Sequence, residues 1–231
     1  MMMRRFGKQT IRGNELMTIF PRVLVLVSIC VFSAMASGLA ADMMRSPATQ
    51  IRYKIDTAQS RFTVRASAGG LLSALGHDHN IAIREFSGEA LVTPGSLSPA
   101  SLNLVIKADS LAVTDKVSDK DRNEIQSTMK NNVLETGKYP EIVFKSTEIS
   151  GDKLHEGTYR VRISGELTLH GETHQITINS EVEFSAGVLR ARGEFPVKQT
   201  AYKITPVSAA GGTVKVKDEL KLSFDIVAKQ Q

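Results

Sequence analysis

The sequence predicts an all-β protein, an antiparallel up-and-down barrel of about eight strands carrying one amphipathic helix. From Ile51 onward apolar residues fall on every second position, the period of a strand that buries one face. Short turn signals separate these segments, and one segment alone, residues 118 to 134, spaces its apolar residues four apart. Polar residues occupy the opposite faces, which marks antiparallel sheets rather than the continuous apolar runs of parallel ones. Alternation serves a sandwich as well as a barrel; the unbroken meander and the lack of a Greek-key signal favour the barrel.

Residues 1 to 40 precede that pattern and are set apart from it as a secretory signal. Arg4, Arg5, Lys8, Arg12 and Arg22 lead into the apolar run VLVLVSICVF and then the small-residue stretch SAMASGLAAD, the charged, apolar and cleavage regions of an export signal. Ala34 with Ala36, or Gly38-Leu39-Ala40, offers the cut, so the mature chain begins between Met35 and Asp42. A start at Met17 leaves Met17 to Ala40, an ordinary signal length. RRFGK only loosely matches a twin-arginine signal, and bulky Ile29 before Cys30 suits a lipoprotein anchor poorly. The apolar core is shorter than the roughly 20 residues a membrane span needs. The expected location is the periplasm or the exterior, with no stable membrane span after cleavage, and residues 41–231 are expected to form one domain.

Charge narrows the function classes. The chain carries 29 Lys and Arg against 24 Asp and Glu, but five of the former and one of the latter lie in residues 1 to 40, leaving 24 against 23. A nearly neutral mature chain gives no support for nucleic-acid binding, which needs a basic face. The only cysteine, Cys30, falls in the signal, so neither a disulfide nor a thiolate nucleophile is available to the mature chain.

Taken in order, Phe62, Val64 and Ala66 form one inward set, and Leu102, Leu104 and Ile106 the next, after the loop PGSLSPA at 94–100. In SDKDRNEIQSTMKNNVL, Ile125, Met129 and Val133 recur at helical spacing with Ser118 or Asp119 as cap. GKYP ends the helix, and EIVFKST resumes the strand period with Phe144 inward. Tyr159, Val161, Ile163, Leu167 and Leu169 follow, then Ile176, Ile178 and Val182, and finally Phe224 and Ile226. A two-residue turn at Gly171-Glu172 pairs Leu169 with His174, and one at Ala186-Gly187 pairs Phe184 with Leu189; each keeps the apolar residues on one face.

Four stretches, YKIDTAQSRFTV, FSGEALV, RNEIQSTMKNNVLETGKYPEIVFKST and GELTLHGETHQITI, resemble the YceI-like family of exported, lipocalin-like proteins in order and spacing over most of residues 51–228. The resemblance implies an extended barrel whose interior holds a polyisoprenoid or another amphiphilic lipid, and no catalysis. It carries over no compact catalytic signature.

Strand parity then names the residues expected to touch such a lipid: Phe62, Val64, Leu102, Leu104, Ile106, Phe144, Val161, Ile163, Leu167, Ile178, Val182 and Phe224. Burying about 20 prenyl carbons at roughly 0.8 kcal/mol per CH₂ contributes on the order of 16 kcal/mol before the cost of lost ligand freedom. The alternative is that these side chains fill a solid core. The other feature is GHDH, residues 76–79, where His77 and His79 on a strand share a face and offer two imidazoles to Zn²⁺ or Cu²⁺. Two ligands are too few for a site, and the bland reading is a polar rim bonding internally or to a lipid headgroup. GxSxG, HExxH and phosphate-cradling motifs are absent. The expectation is therefore a carrier or scavenger with no metal, no cofactor beyond its lipid and no enzymatic role; a homodimer is left open.

Overall fold

The structure is a computed structural model that describes residues 49–70, 77–209, 211 and 213–231; the signal assigned to residues 1 to 40 lies outside the described residues. The strands are β1 (Ile51–Ile55), β2 (Arg61–Ala66), β3 (Ala68–Gly69), β4 (His79–Ile83), β5 (Phe86–Val92), β6 (Ala100–Lys107) and β7 (Leu111–Val113). After helix α1 (Asp119–Thr128) come β8 (Glu141–His155), β9 (Thr158–Leu169), β10 (Glu172–Ser185), β11 (Val188–Lys198), β12 (Ser208–Ala209), β13 (Val214–Val216) and β14 (Glu219–Gln230). Antiparallel pairing runs β1-β5-β6-β8-β9-β10-β11-β14 and closes when β14 pairs with β1 through Tyr53 with Gln230 and Ile55 with Ala228. This is an eight-stranded up-and-down barrel, as the alternation and the meander predict.

The first three staves are each interrupted, which explains why eleven strand segments make eight staves. β1 and β2 both lie along β14, with the turn 56–60 between them. β4 and β5, and β6 and β7, repeat the break, so at one end β14-β2-β4-β7 continues the wall. β3, β12 and β13 form a small second sheet at that end. Facing inward, the period-two residues bury Phe62, Val64, Ala66, Val161, Ile163 and Leu167. Outward, Arg61, Arg65, Arg160, Arg162, Glu181 and Glu183 are exposed, the inverse of a membrane-spanning barrel, which is apolar outside.

The turn in LTLHGETHQITI differs from the expected one. It is His170-Gly171, with Leu169 paired to Glu172 and His174 to Leu167. Both residues have positive φ, 52° and 79°, the paired left-handed geometry of a type I′ hairpin, which wants glycine second; a turn at Gly171-Glu172 would place a glutamate there instead. The displacement is two residues, so no side chain changes face. Ala186-Gly187 forms the predicted turn, pairing Phe184 with Leu189 and Val182 with Ala191.

Residues 118 to 134 also depart from a single helix. Ser118 caps α1, its Oγ accepting from the Asp121 N–H at 3.1 Å, but after Thr128 the ladder widens into a π turn over Met129–Val133. The Leu134 N–H donates to the Met129 carbonyl at 2.9 Å. The wider turn brings Met129 and Leu134 into the buried set, whereas no residue of α1 itself is buried.

α1 lies against the free side of β7. The Val113 N–H donates to Gln126 Oε1 at 2.9 Å, and Gln126 Nε2 donates to the Leu111 carbonyl, so one carboxamide supplies both bonds of a missing strand. Gln126→Ala leaves a part-buried donor and acceptor unpaired and is expected to cost about 1–3 kcal/mol. Gln126→Glu is expected to recover little, because a carboxylate cannot donate to the Leu111 carbonyl. Urea unfolding midpoints of the three proteins check both expectations.

Candidate functional site

The barrel encloses a cavity of about 530 Å³, inside the 300–1,000 Å³ range of small-molecule sites. Its wall is built by the inward period of every stave. Phe62 and Val64 come from β2; Leu102, Leu104 and Ile106 from β6; Phe144 from β8; Val161, Ile163 and Leu167 from β9; Ile178 and Val182 from β10; and Phe224 from β14. The structure brings all of these sequence-predicted residues to one lumen.

The interior stays hollow because its largest rings lie against the wall. A Cβ on inward-facing Gly165 would sit 2.6 Å from Phe144 Cζ, and one on Gly193 would sit 2.7 Å from Phe224 Cζ, so each missing side chain is the seat of a phenyl ring. Phe62 packs at ring-centroid distances of 6.4 Å from Phe86, 6.4 Å from Phe195 and 6.1 Å from Phe224. These are the tilted and edge-on spacings that aromatic pairs prefer.

Other lining residues were not singled out by sequence. Ile81 and Ile83 of β4, Phe195 and Val197 of β11, and Leu220 and Leu222 of β14 share the lumen. Their strands show the same alternation, so the signal that located the first set extends to them. The charged and polar lining is different. His79, Asp121, Glu124, Thr128 and Gln199 come from the start of β4, from α1 and from the turn after β11, which meet at the end where β2 stops; the Ser101 hydroxyl of β6 lies apart from them. Val207 lines the cavity there and is 40% exposed, so the hollow reaches the surface beside it. At the far end the lining is apolar, with Val92, Leu97, Phe184 and Leu189.

The GHDH stretch is split rather than laid along one strand. His77 precedes β4 and is exposed, and only His79 belongs to the strand. Asp78 turns to the other wall, accepting from Arg65 Nη2 at 2.7 Å and from the Ala68 N–H at 2.9 Å, which together hold its carboxyl below the usual range. His79 alone of the two imidazoles is partly buried and hydrogen-bonded, to Asp115. His170 and His174 diverge as well: His170 Nε2 lies 2.6 Å from Glu135 Oε2, whereas the His174 ring packs on Tyr202. Among the described residues no group of three or more His, Cys, Asp or Glu side chains is placed to hold a metal ion.

His79 is oriented by Asp115, a residue without sequence signal. His79 Nδ1 lies 2.9 Å from Asp115 Oδ2, and Asp115 Oδ1 accepts from the Asn80 N–H at 2.9 Å and the Asn80 carboxamide at 3.1 Å. Burial opposes the charge on Asp115, but these hydrogen bonds outweigh it and hold the carboxyl below its ordinary value. A depressed folded value contributes stability above the unfolded carboxylate pKa near 4 and loses it as pH falls through the folded value. Asp115→Asn is accordingly expected to be less stable than the parent at pH 7 and to lose less between pH 5 and pH 2. Unfolding midpoints measured across that interval check the sign.

A closed, charged-outside barrel with an apolar hollow defines an internal-cavity protein of the lipocalin type. The family model described as a YceI-like domain matches residues 53–228, and the chain belongs to that family. It is 30% identical over 149 residues to a UPF0312 protein of Vibrio cholerae serotype O1, covering 64% of this chain and 71% of the relative. Among solved structures, Burkholderia cenocepacia BcnA superposes with a TM-score of 0.57 at 18% identity, covering 76% of this chain and 99% of that one. A polyisoprenoid binding domain from Saccharophagus degradans, implicated in plant cell wall breakdown, superposes with a TM-score of 0.55 at 15% identity, covering 78% and 98%. At these identities the two structures establish a common fold.

Proposed function

We propose that the chain holds a polyisoprenoid or similar amphiphilic lipid inside the barrel, as an exported carrier or scavenger in the periplasm or outside the cell. One observation carries this reading: an apolar lumen of about 530 Å³ whose charged lining is gathered at one open end. Such a hollow takes a tail into its depth and leaves a head at the rim. The binding named for the Saccharophagus degradans domain, which shares this fold, supports the same class of ligand. A predominantly hydrocarbon lining supports a receptacle rather than a reaction centre.

The chain contains no tryptophan, so Phe184→Trp places a single reporter in the cavity wall at the end away from the rim. Adding a prenyl quinone is expected to quench its emission saturably at one ligand per barrel. Quenching that rises linearly without saturation, like that of free tryptophan, would contradict the reading.

A further inference from the structure

The rim residues carry the reading one step further, on the premise that the lumen holds a prenyl tail. At the open end the charged lining is acidic, Asp121 and Glu124 from α1, and no lysine or arginine lines the cavity among the described residues. Arg122, on the same helix, turns its Nη2 to the Asp115 and Val117 carbonyls at 3.1 and 3.4 Å and is not part of the lining. Asp121 and Glu124 are exposed, and they stand where the head of a ligand must sit if its tail fills the apolar depth.

The uncharged polar groups at this rim are hydrogen-bonding ones. His79 is held by Asp115 through Nδ1, which leaves Nε2 for a ligand. Gln199, 4% exposed, donates through Nε2 to the Lys217 carbonyl at 2.9 Å, and its Oε1 has no partner among the described residues. Thr128 adds a hydroxyl. A phosphate head brought to this set would meet two carboxylates and, among the described lining residues, no lysine or arginine to pair with. A hydroxyl, phenol or quinone oxygen meets donors and acceptors without repulsion.

We infer that the rim is a headgroup subsite for an uncharged, oxygen-bearing head, with His79 as its hydrogen-bonding partner and Asp121 and Glu124 as the elements that reject phosphorylated prenyl chains. Specificity of this kind comes from the repulsive groups as much as from the attractive ones. Asp115 is a positioning residue, acting through the imidazole it orients.

The test is equilibrium binding of three radiolabelled probes with one C20 isoprenoid tail: the alcohol geranylgeraniol, geranylgeranyl phosphate and the parent hydrocarbon. With the delipidated full chain at low salt, the alcohol is expected to bind at least about 10-fold tighter than the phosphate. His79→Ala is expected to weaken the alcohol by about 5-fold, the loss of one ordinary hydrogen bond, and to leave the hydrocarbon unchanged. Glu124→Gln is expected to improve the phosphate and leave the alcohol where it was. A phosphate that binds the parent as tightly as the alcohol overturns the head assignment, as does a His79→Ala loss shared equally by the hydrocarbon. Binding of none of the three probes overturns the carrier reading itself.

Discussion

Phe62→Ala is expected to lower the unfolding free energy by about 3–5 kcal/mol, the range for deleting a buried ring. Phe62 is 5% exposed and is the hub of the aromatic group, touching Phe86, Phe195 and Phe224 from three different staves. It pairs across the barrel wall with Phe224, in the stretch where β14 passes from β1 to β2. Its removal therefore enlarges a hollow already present: Phe86 loses its ring contact, while Phe195 and Phe224 keep only each other, at 6.3 Å. Phe62→Leu retains part of the contact and is expected to lose less than half as much. Denaturant titration with an unchanged m-value reads the difference; a Phe62→Ala loss below about 1 kcal/mol would place the ring outside the cooperative core.

Ala191→Trp is expected to have the larger effect on binding. Ala191 lies inward on β11 between Val182 and Ile226, and an indole there projects into the lumen. Overpacking a filled core ordinarily costs about 1–3 kcal/mol, but here the added ring occupies the hollow instead of displacing neighbours. Stability is expected to stay near the parent value while lipid affinity falls by about 100-fold, close to 2.7 kcal/mol. Parent-like affinity in a folded Ala191→Trp protein would mean that the tail lies elsewhere. Unfolding of the variant with no lipid present would mean that the middle is filled rather than hollow.

What could be read from residues alone follows the physics of each element. The barrel wall was legible because a strand buried on one face must alternate, and Val161, Ile163 and Leu167 point inward wherever their hairpin turns. The turn itself was less legible: moving it by one residue shifts the pairing by two and preserves every face, so apolar pattern cannot distinguish His170-Gly171 from Gly171-Glu172, and backbone φ decides. The three broken staves escaped notice because residues 56–60, 84–85 and 108–110 are short irregular joints within otherwise alternating runs. Whether the middle was hollow was not legible at all. It depends on Gly165 and Gly193 seating the rings of Phe144 and Phe224, a relation across paired strands that alternation does not report. The rim was half legible: GHDH drew attention to His79, but its partner Asp115 sits 36 residues away with nothing in its surroundings to mark it.

The most direct measurement is on the protein taken from its own host. Purified without detergent, extracted with organic solvent and examined by mass spectrometry, the protein is expected to release close to one isoprenoid-type lipid per barrel, and Ala191→Trp prepared alongside to release little. A parent preparation that yields no lipid, and that takes up no added prenyl quinone after extraction, would contradict the account.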